Sequence, residues 1–291
     1  MDLIYNNYLK SHGHGDSFRV DIGPATRPIK SYYEETLLTV ENIYNSCNEK
    51  LYLLYSGGMD SEYVFSILLQ LGIKFTPVII KLNPNYNNHD LKYAFDFCES
   101  KGITPQIIDI DFDKFVQSGL IVDIARSIKS SGYQIPATMY AASKLDGFIL
   151  LGNDPPYMKL NQLTNTWQLE ELELIHSILN YFKQYPVKGC PFLLSYTPEM
   201  MLSFLKDPTI VNLVNHRYPG KLGTNTSKVY VYNNGSNFNL LNRPKYTGYE
   251  NIETSSIFQH ENLQIFKDFS KVWGGAYYEN YHDVISRLTC S

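Results

Sequence analysis

Residues 51–61 read LYLLYSGGMDS, and this stretch decides how the rest of the chain is organised. The run from Leu51 to Tyr55 is short and apolar, which is typical of a buried β-strand. From Glu62 to Leu71 apolar residues recur at helical spacing. Two glycines between a strand and a helix let the backbone turn sharply and approach a ligand closely. We therefore predict a strand, a glycine turn and a helix whose first N–H groups bind an anion.

Three side chains in the turn refine this prediction. Ser56 and Ser61 flank the glycines and supply hydroxyl donors. A carboxylate at Asp60 would repel a phosphate unless it holds a Mg²⁺ ion that bridges to the phosphate oxygens. The alternative is a tight strand-to-helix turn that contains these six residues by chance.

The hexapeptide Ser56 to Ser61 resembles the SGGxDS motif of the PP-loop, or N-type ATP pyrophosphatase, superfamily. It differs from the Walker A loop, which has a Lys after its last glycine. The resemblance implies an adenine nucleotide alpha hydrolase-like (Rossmann-like) α/β fold, with ATP and Mg²⁺ as cofactors. It also implies that the turn binds the β- and γ-phosphates and that ATP is cleaved between the α- and β-phosphates. The nucleotide-binding residues expected on this basis are Ser56, Gly57, Gly58, Met59, Asp60, Ser61, Leu82, Asn83 and Gly152.

Alternating apolar runs and helical patterns continue from Leu51 to Leu151 and predict parallel β-α-β units. Further strands are expected at 75–82, 106–110 and 147–151, in a parallel sheet with helices on both faces. Right-handed crossovers place the carboxyl ends of such strands at one edge, where ligands bind. Leu82 and Asn83 are therefore expected to line an adenosine pocket.

The chain divides by composition into three parts. We predict an irregular N-terminal segment at 1–30, an ATP-binding α/β core at 31–155, and a substrate-side helical and loop extension at 156–291 packed on the core. The elements expected in the extension are a hairpin at 158–167, a helix at 169–181, a capped helix after Thr197, loops at 216–260, and a helix at 263–290 interrupted by Gly274-Gly275.

The fourth predicted strand leads into Gly152-Asn153-Asp154. PP-loop proteins carry a second group of active-site residues at this position, so Asp154 is a candidate for a second Mg²⁺ contact or for holding a substrate amino group. An ordinary Asx turn before two prolines is equally consistent with the tripeptide.

Residues 242–250, NRPKYTGYE, form the second informative stretch. They resemble the Arg-Pro-Lys segment of the synthetase domain of asparagine synthetase. The resemblance implies that Lys245 reaches the α-phosphate, with Arg243 and Asp60 as further catalytic residues. A preorganised cation there would stabilise the negative charge that develops on the α-phosphate oxygens. The alternative is a basic surface loop.

The resemblance to asparagine synthetase is limited to the adenylating half. Asp2 follows Met1, and about fifty residues precede the first strand, so we expect no glutaminase domain. External ammonia or another amine would then be the nitrogen donor. The sequence does not indicate the acyl substrate or the oligomeric state.

Composition excludes several classes of protein. The 291 residues are 44% hydrophobic and carry a formal net charge of −4, which argues against a nucleic-acid partner. The four cysteines contain no C-x-x-C pair, and no apolar run approaches the roughly 20 residues of a membrane span. We expect a cytoplasmic protein. His12 and His14 form an H-x-H pair that suits a metal, although a mobile glycine-rich loop explains it better.

Three functions remain open on the sequence alone. The first is an AMP- and pyrophosphate-forming ligase that adenylates a small carboxylate. The second is a PP-loop enzyme that modifies a nucleobase or tRNA. The third is a nucleotide-binding module without turnover. Asp60 and the Lys245 candidate argue against the third, and the acidic balance and isolated cysteines argue against the second.

Overall fold

The computed structural model describes residues 9–11, 18–20, 23–152, 155–216, 223–243 and 248–289. The strands are β1 Leu9–Ser11, β2 Phe18–Val20, β3 Leu51–Leu54, β4 Thr76–Asn83, β5 Gln106–Asp111, β6 Phe148–Leu151, β7 Met158–Asn161, β8 Thr166–Leu172, β9 Lys188–Cys190 and β10 Ala276–Asn280. The α-helices are α1 Tyr32–Asn45, α2 Met59–Gln70, α3 Asn88–Ser100, α4 Phe112–Gln117, α5 Leu120–Ile128, α6 Gln134–Ala142, α7 Glu173–Gln184, α8 Pro198–Leu205, α9 Pro208–His216, α10 Lys228–Asn233, α11 Glu250–Glu253, α12 Glu261–Gln264, α13 Phe266–Trp273 and α14 Tyr281–Leu288. Short 3₁₀ turns cover Leu193–Ser195 and Ser256–Gln259.

A five-stranded parallel sheet in the order β5-β4-β3-β6-β9 forms the centre of the fold. The predicted parallel α/β sheet is confirmed. The chain moves outward from β3 through β4 to β5, then returns to the other side of β3 at β6. The strand order therefore reverses between β3 and β6, which is where open α/β sheets bind ligands at the carboxyl ends of their strands.

Both faces of this sheet are covered. All four residues of β3 and all four of β6 are buried, and successive side chains of a strand point to opposite faces. Such strands read as continuous apolar runs because helices pack on each side. The predicted helices on both faces are confirmed by this pattern.

The extension contributes more to the sheets than the sequence indicated. β9 adds a fifth strand to the central sheet from beyond residue 156, so the sheet crosses the predicted core boundary. The predicted hairpin is confirmed as β7 and β8, and β10 pairs with β8 to complete an antiparallel sheet. The predicted helix at 169–181 begins later, as α7, because β8 continues through Leu172 to pair with β10.

The prediction of loops throughout 216–260 is wrong at α10 and α11. Six residues are too few to form a stable helix in isolation, so α10 depends on tertiary packing. Its Tyr232 ring stacks on Tyr63 with centroids 4.3 Å apart and planes 7° apart. Likewise, the strand β10 follows Gly274-Gly275 where a continued helix was predicted. Across the described residues, no helix is long and apolar enough to span a bilayer.

Candidate functional site

The turn between β3 and α2, residues 56–61, is the centre of the site, and we call it the glycine turn. Gly57 has a φ of +76°, and a Cβ built there would lie 2.7 Å from the backbone nitrogen of Ala94. Only glycine satisfies both the backbone angle and the close approach of α3. Gly58 precedes α2 without a side-chain capping hydrogen bond. The N-terminus of α2 is therefore available to an anion.

The two serines of the glycine turn lie side by side. Their Oγ atoms are 3.2 Å apart, and Ser61 also donates a hydrogen bond to the carbonyl of Gly58. Gly152, after β6, packs so closely that a Cβ on it would lie 2.8 Å from the Cα of Ser61. The carboxyl ends of β3 and β6 thus meet at the glycine turn.

Asp60 is engaged by two side chains of α10. Lys228 Nζ lies 2.6 Å from Asp60 Oδ2, and the Tyr232 hydroxyl donates to Asp60 Oδ1 at 2.6 Å. Lys228 and Tyr232 are four residues apart, so they lie on the same face of the helix. The Lys228 and Asp60 side chains are only 15% and 25% exposed, which shields the pair from solvent. The charge of Asp60 is neutralised by Lys228 in this state.

Buried aromatic rings hold α10 in place. Tyr232 packs against both Tyr63 and Tyr32, with ring centroids at 4.3 and 6.0 Å. Burial, with the nearby charge of Asp60, raises the pKa of Tyr232 well above its usual value. Tyr232 therefore remains a neutral hydrogen-bond donor to Asp60 at any physiological pH.

Arg243 connects the C-terminal part of the chain to the glycine turn. Its Nη1 donates to the carbonyl of Gly57 at 2.6 Å, and its Nη2 lies 2.5 Å from Glu62 Oε2. The guanidinium also lies over the Tyr93 ring, 5.2 Å from its centroid. Because both terminal nitrogens are engaged, Arg243 positions the turn in this state. The catalytic role that the resemblance implies for Arg243 stays a prediction.

An apolar cavity of about 260 Å³ opens beside the glycine turn. Its apolar lining comes chiefly from strand ends and from α3 and α6, namely Leu54, Val78, Ile80, Leu82, Leu91 and Ile135. Ser56, Ser61 and Gly152 border it at the glycine turn, and Gly248 and Tyr249 border it from the C-terminal part of the chain. We call residues 223–243 and 248–253 the C-terminal cover, because they supply the contacts of Lys228, Arg243 and Tyr249 at this site.

Apart from Arg243, the predicted site residues fall into three groups. The glycine turn, Leu82 and Gly152 lie together. Of these residues, Ser56, Ser61, Leu82 and Gly152 line the cavity. Asn83 is directed elsewhere, since its side-chain amide donates to Asp109 Oδ1. Lys245, Asp154, His12 and His14 lie outside the described residues.

Sequence reasoning missed Lys228, Tyr232, Glu62 and Asp90. The i, i+4 spacing of Lys228 and Tyr232 is a helical signal, but the surrounding asparagines and glycines obscured it. Asp90 lines the cavity from the first turn of α3, and burial raises the pKa of its carboxyl to about 6.

The described cysteines, Cys47, Cys98 and Cys190, are free thiols. Within the described part of the chain, no group of three or more His, Cys, Asp or Glu side chains is arranged to hold a metal ion. A single carboxylate such as Asp60 is nevertheless compatible with Mg²⁺, which proteins commonly bind through one or two carboxylates, waters and substrate phosphates.

Comparisons with known proteins give partial likenesses. No protein-family model and no curated protein matches the sequence. A predicted subunit of tRNA methyltransferase from Methanocaldococcus jannaschii is 21% identical over 36% of this chain and 52% of its own, with a TM-score of 0.26. The U34-tRNA thiolase NcsA from Methanococcus maripaludis, solved with its 4Fe-4S cluster, is 17% identical over 83% of this chain and 80% of its own, with a TM-score of 0.31. This chain spans about half the length of the first structure. Both TM-scores are low, so the description of the fold rests on the strand order of this chain itself.

Proposed function

We propose that this chain is an ATP-dependent enzyme of the PP-loop type, which cleaves ATP between the α- and β-phosphates and transfers AMP to a substrate. One observation carries the proposal: the glycine turn lies at the point where the strand order reverses, beside an apolar cavity and two cationic side chains. A phosphate chain suits the turn, and a purine base suits the apolar cavity.

The chain's own residues have distinct parts in this proposal. The first N–H groups of α2 and the hydroxyls of Ser56 and Ser61 bind the β- and γ-phosphates. Lys228 lies within the same site. When ATP binds, its ammonium would leave Asp60 and contact a phosphate oxygen instead. Asp60 would then be free to hold Mg²⁺, which supplies charge neutralisation for the pyrophosphate when bound.

Lys245 remains the proposed α-phosphate cation. This role is supported by the residues that flank Lys245 in the sequence. Arg243 contacts the glycine turn and Gly248 lines the cavity. In the reaction, a substrate oxygen forms a bond to the α-phosphorus while the bond from that phosphorus to the bridging oxygen breaks. Pyrophosphate leaves with the electron pair, and an amine or another nucleophile later displaces AMP. A fixed cation at the α-phosphate lowers the barrier by stabilising the oxygens that gain charge.

Two substrate classes are candidates. The Arg-Pro-Lys segment favours a small carboxylate with external ammonia or an amine as donor, as in an asparagine-synthetase-like amide ligase. The second candidate is a nucleobase of tRNA, and the two partly similar structures are both described as tRNA enzymes. For this second candidate the partner is a nucleic acid, although the net charge of −4 provides no overall attraction to one.

The test is release of pyrophosphate and AMP from ATP and Mg²⁺, measured with a panel of amino acids and other small carboxylates and, separately, with unmodified tRNA. The Asp60→Asn variant should lose Mg²⁺-dependent turnover while retaining its fold. Asp123→Asn, an exposed aspartate on α5, is the matched control and should behave like the wild type. ATP binding with no pyrophosphate release under either substrate set would favour a binding module without turnover. No binding of ATP would refute the proposal.

A further inference from the structure

The carboxylate of Asp90 is the least explained polar group in the cavity. Asp90 lines the cavity from the first turn of α3 and is partly buried. No hydrogen bond or ion pair to its carboxylate occurs among the described residues. A carboxylate that lines a cavity without a protein donor is left to water or to a ligand, so Asp90 is free to bond a ligand that enters the cavity.

Asp90 lines the same cavity as Ser56 and Ser61 of the glycine turn. It is four residues before Ala94, the residue that packs against Gly57, so it lies one helical turn from that contact. On its other side, a Cβ built on Gly248 would lie 3.4 Å from Asp90 Oδ2, so the C-terminal cover passes close to the carboxylate. Asp90 therefore borders the space that a nucleotide would occupy with its phosphates on the turn and its base in the cavity.

The local charges leave Asp90 suited to accept hydrogen bonds. Burial raises the pKa of its carboxyl to about 6, the nearby His89 opposes this rise, and Glu250 on α11 adds to it. His89 is itself paired with Glu250, their side-chain atoms being 3.0 Å apart. At neutral pH the ionised Asp90 is an acceptor only, so its ligand must present a donor.

We propose that Asp90 accepts a hydrogen bond from a ribose hydroxyl of the nucleotide and thereby selects ribonucleotides over deoxyribonucleotides. The inference rests on the proposed function and adds a specificity residue to it. The sugar is the part of a nucleotide that lies between its phosphates and its base, which fits a residue that lines the cavity one helical turn from the contact of α3 with the glycine turn. Carboxylates recognise ribose hydroxyls in this way in other open α/β sheets.

The experiment measures the affinity of the full chain for ATP, 2′-deoxy-ATP, 3′-deoxy-ATP and purine riboside triphosphate, which lacks the 6-amino group. The wild type should prefer ATP over at least one deoxy analogue by about ten- to a hundredfold, as expected for a hydrogen bond to a charged group. In Asp90→Ala this preference should fall to about unity, with affinity for the discriminated deoxy analogue unchanged. Asp123→Asn should retain the wild-type preference, and thermal melting of each variant verifies its fold.

Three outcomes would overturn the inference. The wild type could bind ATP and both deoxy analogues equally, or Asp90→Ala could keep the wild-type preference. Alternatively, Asp90→Ala could remove discrimination against purine riboside triphosphate only, in which case Asp90 recognises the base. In all three the wild type still binds ATP, so the proposed function stands. Absence of any nucleotide binding by a folded wild type would refute the proposed function and this inference together.

Discussion

The glycine turn and the C-terminal cover lie at the same site but are built in different ways. The turn is six consecutive residues, and the groups that we propose to bind an anion belong largely to its backbone. The cover supplies long cationic side chains from far along the chain, since Lys228 is 168 residues from Asp60 and Arg243 is 186 residues from Gly57. An anion site can therefore be formed by local structure, whereas the charges that act on it depend on the whole fold.

This difference predicts how the two regions respond to mutation. Loss of the Lys228 charge should alter catalysis and charge balance while the turn keeps its shape, because the turn is stabilised by β3, α2 and Arg243. The reverse should not hold, because Arg243 contacts the turn through the carbonyl of Gly57.

The largest effect is expected at Lys245. If Lys245 is the α-phosphate cation, Lys245→Ala should slow pyrophosphate release by two or more powers of ten, the loss expected for one transition-state donor. The affinity for ATP should change little, because the glycine turn supplies most of the phosphate contacts. Single-turnover kinetics on the variant gives the rate of pyrophosphate release. Equilibrium binding on the same variant gives its affinity for ATP.

Lys74→Ala is the control for this variant, because Lys74 is exposed near the amino end of β4, away from the site. Equal losses of turnover and affinity in Lys245→Ala would make Lys245 a ground-state binding residue. Unchanged values for both would place it among ordinary surface lysines, for which substitutions change stability by about half a kcal/mol or less.

A second test separates the charge of Lys228 from its packing. Lys228→Met keeps the apolar stem and removes the ammonium, so Asp60 is left partly buried without its cation. We expect the affinity for ATP and the turnover each to fall about ten- to a hundredfold, which corresponds to roughly 1.4 to 2.7 kcal/mol. The free energy of unfolding should fall by about 1–3 kcal/mol, between the values for exposed and buried ion pairs. Lys74→Met serves as control, and wild-type nucleotide affinity in Lys228→Met would contradict the role given to Lys228.

The link between turn and cover can be measured at Arg243 and Glu62. Arg243→Ala leaves Glu62 buried without its cation. The free energy of unfolding should therefore fall by about 2 kcal/mol. Adding Glu62→Gln removes the unpaired charge and should recover part of this loss. A double-mutant cycle in urea should give a coupling energy of about 1–2 kcal/mol. Strictly additive effects would mean that the contact of Arg243 with Glu62 adds nothing to stability.

The smallest effect concerns pH and Asp90. Burial raises the pKa of Asp90 from an ordinary 3.8 to about 6, so the folded protein binds this proton more tightly than the unfolded chain. The ionised carboxyl therefore destabilises the fold above pH 6, and stability is regained as the pH falls from about 6 to about 4. Asp90→Asn should be more stable than the wild type at pH 8 by about 1 kcal/mol, a value reduced because the carboxyl is only partly buried. This advantage should vanish below about pH 4, and thermal melts across pH 4–8 would reveal it. A constant difference at every pH would contradict the raised pKa.

The sequence alone determined the central part of the fold. The apolar runs at β3 and β6 predicted buried parallel strands, and Gly57-Gly58 before a helical pattern predicted the turn. These signals are short-range: a strand's period, a glycine's backbone freedom and the unpaired N–H groups of a helix all follow from a few neighbouring residues. The same local logic predicted the capped start of α8, where Thr197 accepts from the backbone of Met200.

Tertiary structure alone decided which distant groups reach the turn. α10 is too short to be stable by itself and exists because Tyr232 stacks within buried aromatic rings, which also brings Lys228 to Asp60. β9 and β10 are short segments whose state depends on a neighbouring strand to pair with, so their composition could not identify them. The exposure of Asp90 to an apolar cavity likewise follows from how α3 packs on the sheet. Local sequence specified the backbone of the glycine turn, whereas the charges around it were specified by long-range packing, because a side chain's partners depend on contacts that no short window of residues contains.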